Sequence, residues 1–250
     1  MKLKTFFITI LVWLVCGLSM ITFFIIFFIL WIFSFPFDRH HYFTQKLTWY
    51  WATFYVVVYP LWKIELINKD KLFKGRPCIA VSNHQSLLDI MILFHLYAYF
   101  VWVSKIENFR VPVLGWVMTI NRYIRVNRND PKTFPKMFEG ITKVLKNNKT
   151  VMIFPEGTRS LNGEVGRFKD GAFKAAIENK VSIIPIVLDG TGRLLPKEGV
   201  KISGKTKIIV KVLDEIPYHK FPSNDPQVLR EFVKDIIAKE LIQLRKVEYY

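Results

Sequence analysis

The sequence predicts an α/β fold: a mostly parallel sheet flanked by helices, preceded by a membrane-embedded helical segment. Three observations carry this. From Thr5 to Phe37 there are 33 residues without a charge. Beyond residue 62, short apolar runs with strand character alternate with segments of helical periodicity, the pattern of a sheet covered by helices. The 250 residues are 51% hydrophobic and 16% aromatic, which excludes disorder and suffices for one domain with an appendage.

The apolar start is too long for a secretory signal, and no small-residue cleavage site precedes Asp38. A spanning helix needs about 20 apolar residues. Residues 5–34 supply one long tilted helix, or two short helices bent near Gly17 and Ser19 that dip into one leaflet. Residues 1–37 are therefore an anchor. Residues 38–61 form an interfacial or linking helix, because LTWYWATFYVVVYPLW (47–62) carries the Trp and Tyr of a membrane interface. A core helix of the globular domain would read the same way. Residues 62–250 form the remaining domain.

Within that domain, WKIELIN (62–68) alternates with period two, as a half-buried strand does. PCIAVSN (77–83) is a buried strand that ends in polar residues, and SLLDIMILFHLY (86–97) is a helix. YFVWVS (99–104) reads as a strand, VPVLGWVMTI (111–120) as a helix and YIRV (123–126) as a short strand. Phe134, Phe138, Ile141 and Leu145 fall at helical spacing, with Pro135 early where a helix tolerates it. TVMIFP (150–155), VSIIPIVLDG (181–190) and KIIVKVLDEI (207–216) are strands, and GAFKAAIEN (171–179) is a helix. Asp225-Pro226 opens a long amphipathic helix over 225–247. Pro185 lies inside a strand, where proline requires an edge, a bulge or a special role.

The net charge is +16, almost all of it C-terminal to the anchor. That suits an anionic partner, and the apolar segment favours lipid over nucleic acid, for which no binding motif is present. Basic mass on one side of the anchor places the domain on the cytoplasmic face of the membrane. Two cysteines, Cys16 and Cys78, make neither a disulfide framework nor a zinc site, which fits a reducing compartment.

Five segments stand out for chemistry, one of them IIPIVLDGT (183–191) with its internal Pro185. SNHQSLLD (82–89) follows a strand and opens a helix, so His84 sits at a strand's C-terminal end, where α/β sheets build their sites. A turn brings Asp89 to face the imidazole, fixing its tautomer and stabilising the imidazolium. An isolated H-x-x-x-x-D arises by chance in roughly one such chain in five or six, and alone it reads as a capping turn. FPEGTRS (154–160) again follows a strand; its Arg159 suits bidentate phosphate recognition, and its bland reading is a polar turn with a surface salt bridge. GRFKDGAF (166–173) adds Lys169, either aimed at the same anion or solvated. VNR (126–128) adds Arg128, a second phosphate candidate or a surface arginine.

Together NHQSLLD, VNR, FPEGTRS with FKDGAF, and IIPIV (183–187) resemble, in order and rough spacing, the four motif blocks of the glycerolipid acyltransferases. The best resemblance is to bacterial 1-acylglycerol-3-phosphate (lysophosphatidate) acyltransferases, over about residues 62–190. It implies a catalytic pair His84 and Asp89, and acceptor binding by Arg128, Glu156, Gly157, Thr158 and Arg159, with Lys169 beside them. Members often carry glycine where this chain has Asn121-Arg122. The implied activity is acyl transfer from an acyl carrier protein or coenzyme A thioester to the sn-2 hydroxyl of lysophosphatidate, giving phosphatidic acid for phospholipid biosynthesis. No metal or redox cofactor is implied, and the bacterial inner membrane is the implied location. No G-x-S-x-G elbow is present, so no serine acyl-enzyme is expected. Two alternatives stand beside this. One is acylation of another lysolipid, such as a lyso-ornithine lipid or a larger-headgroup lysophospholipid. The other is a non-catalytic, membrane-bound module for anionic lipid.

Overall fold

A computed structural model describes residues 3–38, 41–59, 62–72, 76–199 and 205–248. Lys2, at the basic start, and Pro60 and Leu61, at the end of the second apolar stretch, lie outside these.

The apolar start forms one continuous helix, α1 (Leu3–Ser34), of about 48 Å at 1.5 Å per residue. Gly17 and Ser19 do not break it. Ser19 Oγ donates to the Cys16 carbonyl and meets Tyr55 Oη at 2.7 Å. α1 is long and apolar enough to cross a membrane. One of its faces is covered, however. Val12, Ser19 and Phe27 are buried, Ile8 and Cys16 pack on the core, and Phe23 meets Trp51 and Phe54. The opposite face, with Leu11, Leu14, Leu18, Ile21, Ile25, Ile29 and Ile32, is exposed at helical spacing.

α2 (Tyr42–Val58) is shorter than the sequence suggests and starts at the Asp38 carboxylate, which accepts the amides of Tyr42 and Phe43. Its Trp49, Ala52 and Tyr55 are buried in the core of the domain, so its inner face is a core face.

The domain is a seven-stranded sheet: β1 (Trp62–Ile67), β2 (Cys78–Ser82), β3 (Phe100–Lys105), β4 (Ile124–Val126), β5 (Thr150–Ile153), β6 (Ser182–Asp189) and β7 (Thr206–Val212). Their order is β1-β7-β6-β2-β5-β3-β4, parallel throughout except for the β6–β7 pair. Alternation along the strands splits the core into two layers. Ala80, Phe100, Met152 and Ile186 face α2 and α3 (Leu88–Phe94). Ile79, Val81, Val151 and Val187 face α5 (Phe134–Lys146), α6 (Gly171–Asn179) and α8 (Pro226–Glu248). α8 contributes Leu229, Val233, Ile237 and Leu241, one every four residues. It opens as expected, with Asp225 Oδ1 accepting the Gln227 amide. Two short helices, α4 (Leu114–Ile120) and α7 (Thr191–Leu194), complete the fold.

Two expectations change, and a third is resolved. The helix after β2 begins at Leu88, because residues 83–87 turn around a buried carboxylate. The last strand ends at Val212 rather than residue 216. Pro185 lies in an interior strand: β6 sits between β2 and β7. Pairing with the β7 side passes from Ile186↔Val212 to Ile183↔Ile216, three residues against four. The extra residue is a bulge opposite Pro185, whose carbonyl accepts the Leu213 amide. The missing proline N–H therefore falls where the ladder is already interrupted.

Candidate active site

β2 and β5 are adjacent and parallel, so the segments leaving their C-terminal ends emerge side by side. Residues 83–87 form the first wall, each polar side chain held separately. Asn83 exchanges two 2.8 Å bonds with the Leu188 backbone. Ser86 Oγ donates to the Leu195 carbonyl. Gln85 Nε2 donates to the Gly163 carbonyl and to Asp189.

The turn closes around Asp89, which has no exposed surface. Its Oδ2 accepts His84 Nδ1–H at 2.7 Å and the amides of Gln85 (2.6 Å) and Ser86 (3.0 Å). Four donors, counting one on Oδ1, compensate a charge that burial alone would make costly. A carboxylate only accepts, so the Nδ1 of His84 carries the proton and Nε2 presents its lone pair. Nε2 has no partner among the described residues. The imidazole stacks on Phe154 at 4.1 Å between centroids, and Phe154 rests on Trp102. The ring is therefore fixed in direction, with one face shielded and its basic nitrogen free.

The segment after β5 forms the second wall. Glu156 is buried, and both its oxygens are occupied: Oε1 accepts the His84 amide at 2.8 Å and Oε2 the Gly166 amide at 3.1 Å. It ties the two walls together rather than facing the acceptor, which differs from the role the motif resemblance implies. A Cβ on Gly166 would stand 2.7 Å from Glu156 Oε2, so the tie needs glycine there. Ser160 N–H donates to the His84 carbonyl, a second tie. Gly157 adopts φ 70°, and its carbonyl accepts Arg128 Nη1. A Cβ on Gly157 would lie 3.5 Å from Lys169 Nζ, so Lys169 reaches over the same turn. Arg128 and Lys169 thus converge on Gly157. Arg159, two residues on, is half-buried and has no salt bridge among the described residues, and Thr158 is exposed. Burial lowers the pKa of Arg128, offset in part by Glu107. An anion beside Arg128 would relieve that cost. Arg122 holds φ 55°, the left-handed conformation that glycine adopts freely.

Sequence reasoning missed an ion-pair set around the buried Asp189, behind the first wall. Asp189, at the end of β6, accepts Arg193 Nη1 at 2.8 Å and Arg245 of α8 at 2.8 and 3.0 Å; Arg245 also donates to the Gly163 carbonyl. Burial works to raise the Asp189 pKa, but the two arginines outweigh it and hold it below the usual value. The sequence signal was the D-G-T after the fourth motif block, which has no meaning until α8 is placed.

Burial pushes Glu156 up to about 7 from 4.5, helped by nearby Asp89 and opposed by its two backbone bonds and by Lys197. The folded protein therefore binds this proton more tightly than the unfolded chain. The stability it contributes is complete below 4.5 and is lost as pH rises through about 7. At its steepest the slope is about 1.4 kcal/mol per pH unit. Glu156→Gln should flatten the fall in melting temperature between pH 5 and 8, measured in detergent. Identical pH slopes for the two proteins would show that Glu156 does not titrate there.

A carboxylate–imidazole pair thus lies beside a cation-bearing turn, both at the C-terminal edge of parallel strands. The chain belongs to the Acyltransferase family, whose family model matches residues 63–189. It is 37% identical over 175 residues to the chloroplastic 1-acyl-sn-glycerol-3-phosphate acyltransferase LPAT1 of Arabidopsis thaliana, covering 69% of this chain and 48% of that one. It is 32% identical over 157 residues to the human 1-acyl-sn-glycerol-3-phosphate acyltransferase beta, covering 62% and 56%. The chain spans about half the length of the first curated relatives it matches. Its fold is that of the crystallised 1-acyl-sn-glycerophosphate acyltransferase PlsC from Thermotoga maritima: TM-score 0.81 at 21% identity, over 98% of this chain and 97% of that one.

Proposed function

We propose that this protein transfers a fatty acyl group from an acyl thioester to the sn-2 hydroxyl of 1-acylglycerol-3-phosphate, giving phosphatidic acid. The observation that carries this is the His84 imidazole, tied through Nδ1 to a fully buried Asp89, with Nε2 free beside the turn where Arg128 and Lys169 meet. A thioester is already activated, so the acceptor hydroxyl attacks directly. His84 Nε2 takes the hydroxyl proton as the oxygen–carbonyl bond forms, and Asp89 stabilises the imidazolium. The carbon–sulfur bond then breaks, and the thiolate recovers the proton from His84. Arg128, Arg159 and Lys169 hold the acceptor phosphate, which places the hydroxyl near the base. Similarity to proteins named for this acceptor favours it over lyso-ornithine lipid. The donor is an acyl carrier protein or coenzyme A thioester, both anionic, as the +16 charge suits. Assay of the purified protein against a panel of lysolipids with both donors should show turnover highest with lysophosphatidate. Preference for a lysolipid without a phosphomonoester would overturn the acceptor.

The anchor works in one leaflet. A spanning helix meets lipid all round, whereas α1 has one face covered by the domain from Ile8 to Phe27 and an exposed apolar stripe on the other. That stripe lies in the membrane and brings the site to its acceptor, with the domain on the cytoplasmic face. The protein should stay in the membrane pellet through high salt and alkaline carbonate, because apolar burial holds it. Release by salt alone would show that its basic surface does the binding.

A further inference from the structure

We propose that Thr191 is a positioning residue for the catalytic base, the group that fixes the far oxygen of Asp89. This rests on the reading of His84 and Asp89 as the base pair and extends it beyond residues 63–189, the span of the family match. The Thr191 hydroxyl is completely buried and lies 2.5 Å from Asp89 Oδ1. Its other neighbour, Gln85 Oε1, is at 3.5 Å, and a hydroxyl has one proton to give, so it goes to Asp89. A threonine at a helix start usually bonds its own backbone. Here Gly190 is the cap residue and the hydroxyl instead reaches across the fold to α3.

Three features hold Thr191 in place. Gly190 turns the chain at φ 97°, and a Cβ there would stand 2.2 Å from the Lys207 carbonyl, so only glycine lets β6 turn inward at that point. Asp189, just before, is clamped by Arg193 and by Arg245 of α8. The Leu195 amide closes the turn on the Thr191 carbonyl at 2.9 Å, and the Leu195 carbonyl takes Ser86 Oγ. Asp89 Oδ2 is set by His84 and two amides of its own turn; among the described residues Oδ1 is set by Thr191 of α7 alone. Without the hydroxyl, the carboxylate plane is free to rotate about its remaining bonds. The imidazole then loses its fixed direction, while the phosphate subsite, built on the β5 turn, is untouched.

The test is steady-state kinetics with lysophosphatidate on the purified full chain, for Thr191→Val, which keeps the shape, and Thr191→Ser, which keeps the hydroxyl. A hydrogen bond to a charged group corresponds to about 10- to 100-fold in the step it supports. Thr191→Val should lose that factor in kcat, with the acceptor KM unchanged within roughly threefold. Thr191→Ser should recover most of the lost turnover. If the valine variant fails to unfold cooperatively on heating, Thr191→Ala and Thr191→Cys are read by the same criteria. A valine variant with at least half the parent kcat overturns the proposal, as does a serine variant no better than valine or a defect confined to KM. His84→Ala, run alongside, separates the two readings: if it is active, the base assignment fails, and if it is inactive while Thr191→Val is normal, only the role of Thr191 fails.

Discussion

His84→Ala should lose acyl transfer by about 10²–10⁴-fold, the usual contribution of a general base, while still folding, with a modest fall in melting temperature because buried Asp89 loses one of its four donors. The imidazole makes one side-chain hydrogen bond and one ring stack, so its removal leaves the turn in place. The turn is held by the backbone of residue 84, whose amide binds Glu156 and whose carbonyl binds Ser160. Asp89→Asn should also fall by roughly a hundredfold or more, with little loss of fold. Its amide oxygen can accept the three donors that now meet Oδ2, and its NH2 can face the Thr191 hydroxyl. What disappears is the negative charge opposite the imidazolium. Asp89→Ala should do worse in a different way, leaving two buried amides unpaired at about 1–3 kcal/mol each. Turnover against heat stability for the three variants separates chemistry from support. Near-parent turnover by folded His84→Ala would remove His84 from the reaction.

The sheet was legible because its strands are buried on both faces and read as near-continuous apolar runs, from Cys78 to Ser82 and from Ser182 to Asp189. The helices on the far face were legible from spacing, as with Leu229, Val233, Ile237 and Leu241 of α8. The direction of β7 was not, since a strand's sequence does not record whether its neighbour runs with it or against it. The bulge at Pro185 was half legible: proline demanded an irregularity, and only the partner register says which. At the site, the contact between His84 and Asp89 was legible because they stand five positions apart in one turn, and the motif blocks around them marked the pair out from a capping turn. Glu156 was legible as a motif residue but not in its role, because its partners are amides 72 and 10 positions away. Thr191 and Arg245 were invisible for the same reason at longer range: no local pattern marks a residue whose partner is 102 positions upstream, or 56.

Arg159→Ala should raise the acceptor KM by roughly tenfold to a hundredfold, since a hydrogen bond to a charged group contributes about 1.5–3 kcal/mol. Arg159 has no protein partner among the described residues, so its loss costs the fold nothing and should leave kcat and the donor KM nearly unchanged. Arg128 differs. One arm of its guanidinium is engaged with the Gly157 carbonyl. Arg128→Ala therefore loosens the turn that carries Arg159 as well as removing a cation, and should depress kcat along with the acceptor KM. Arg159→Lys should fall between parent and alanine, because an ammonium supplies charge without the planar fork that grips two phosphate oxygens. Raising the salt should weaken acceptor use by the parent more than by Arg159→Ala, as screening acts on the charge that the variant lacks. Kinetics with lysophosphatidate varied at saturating donor read all of these. An Arg159→Ala enzyme with unchanged acceptor kinetics would place the phosphate elsewhere, on Arg128 and Lys169 alone.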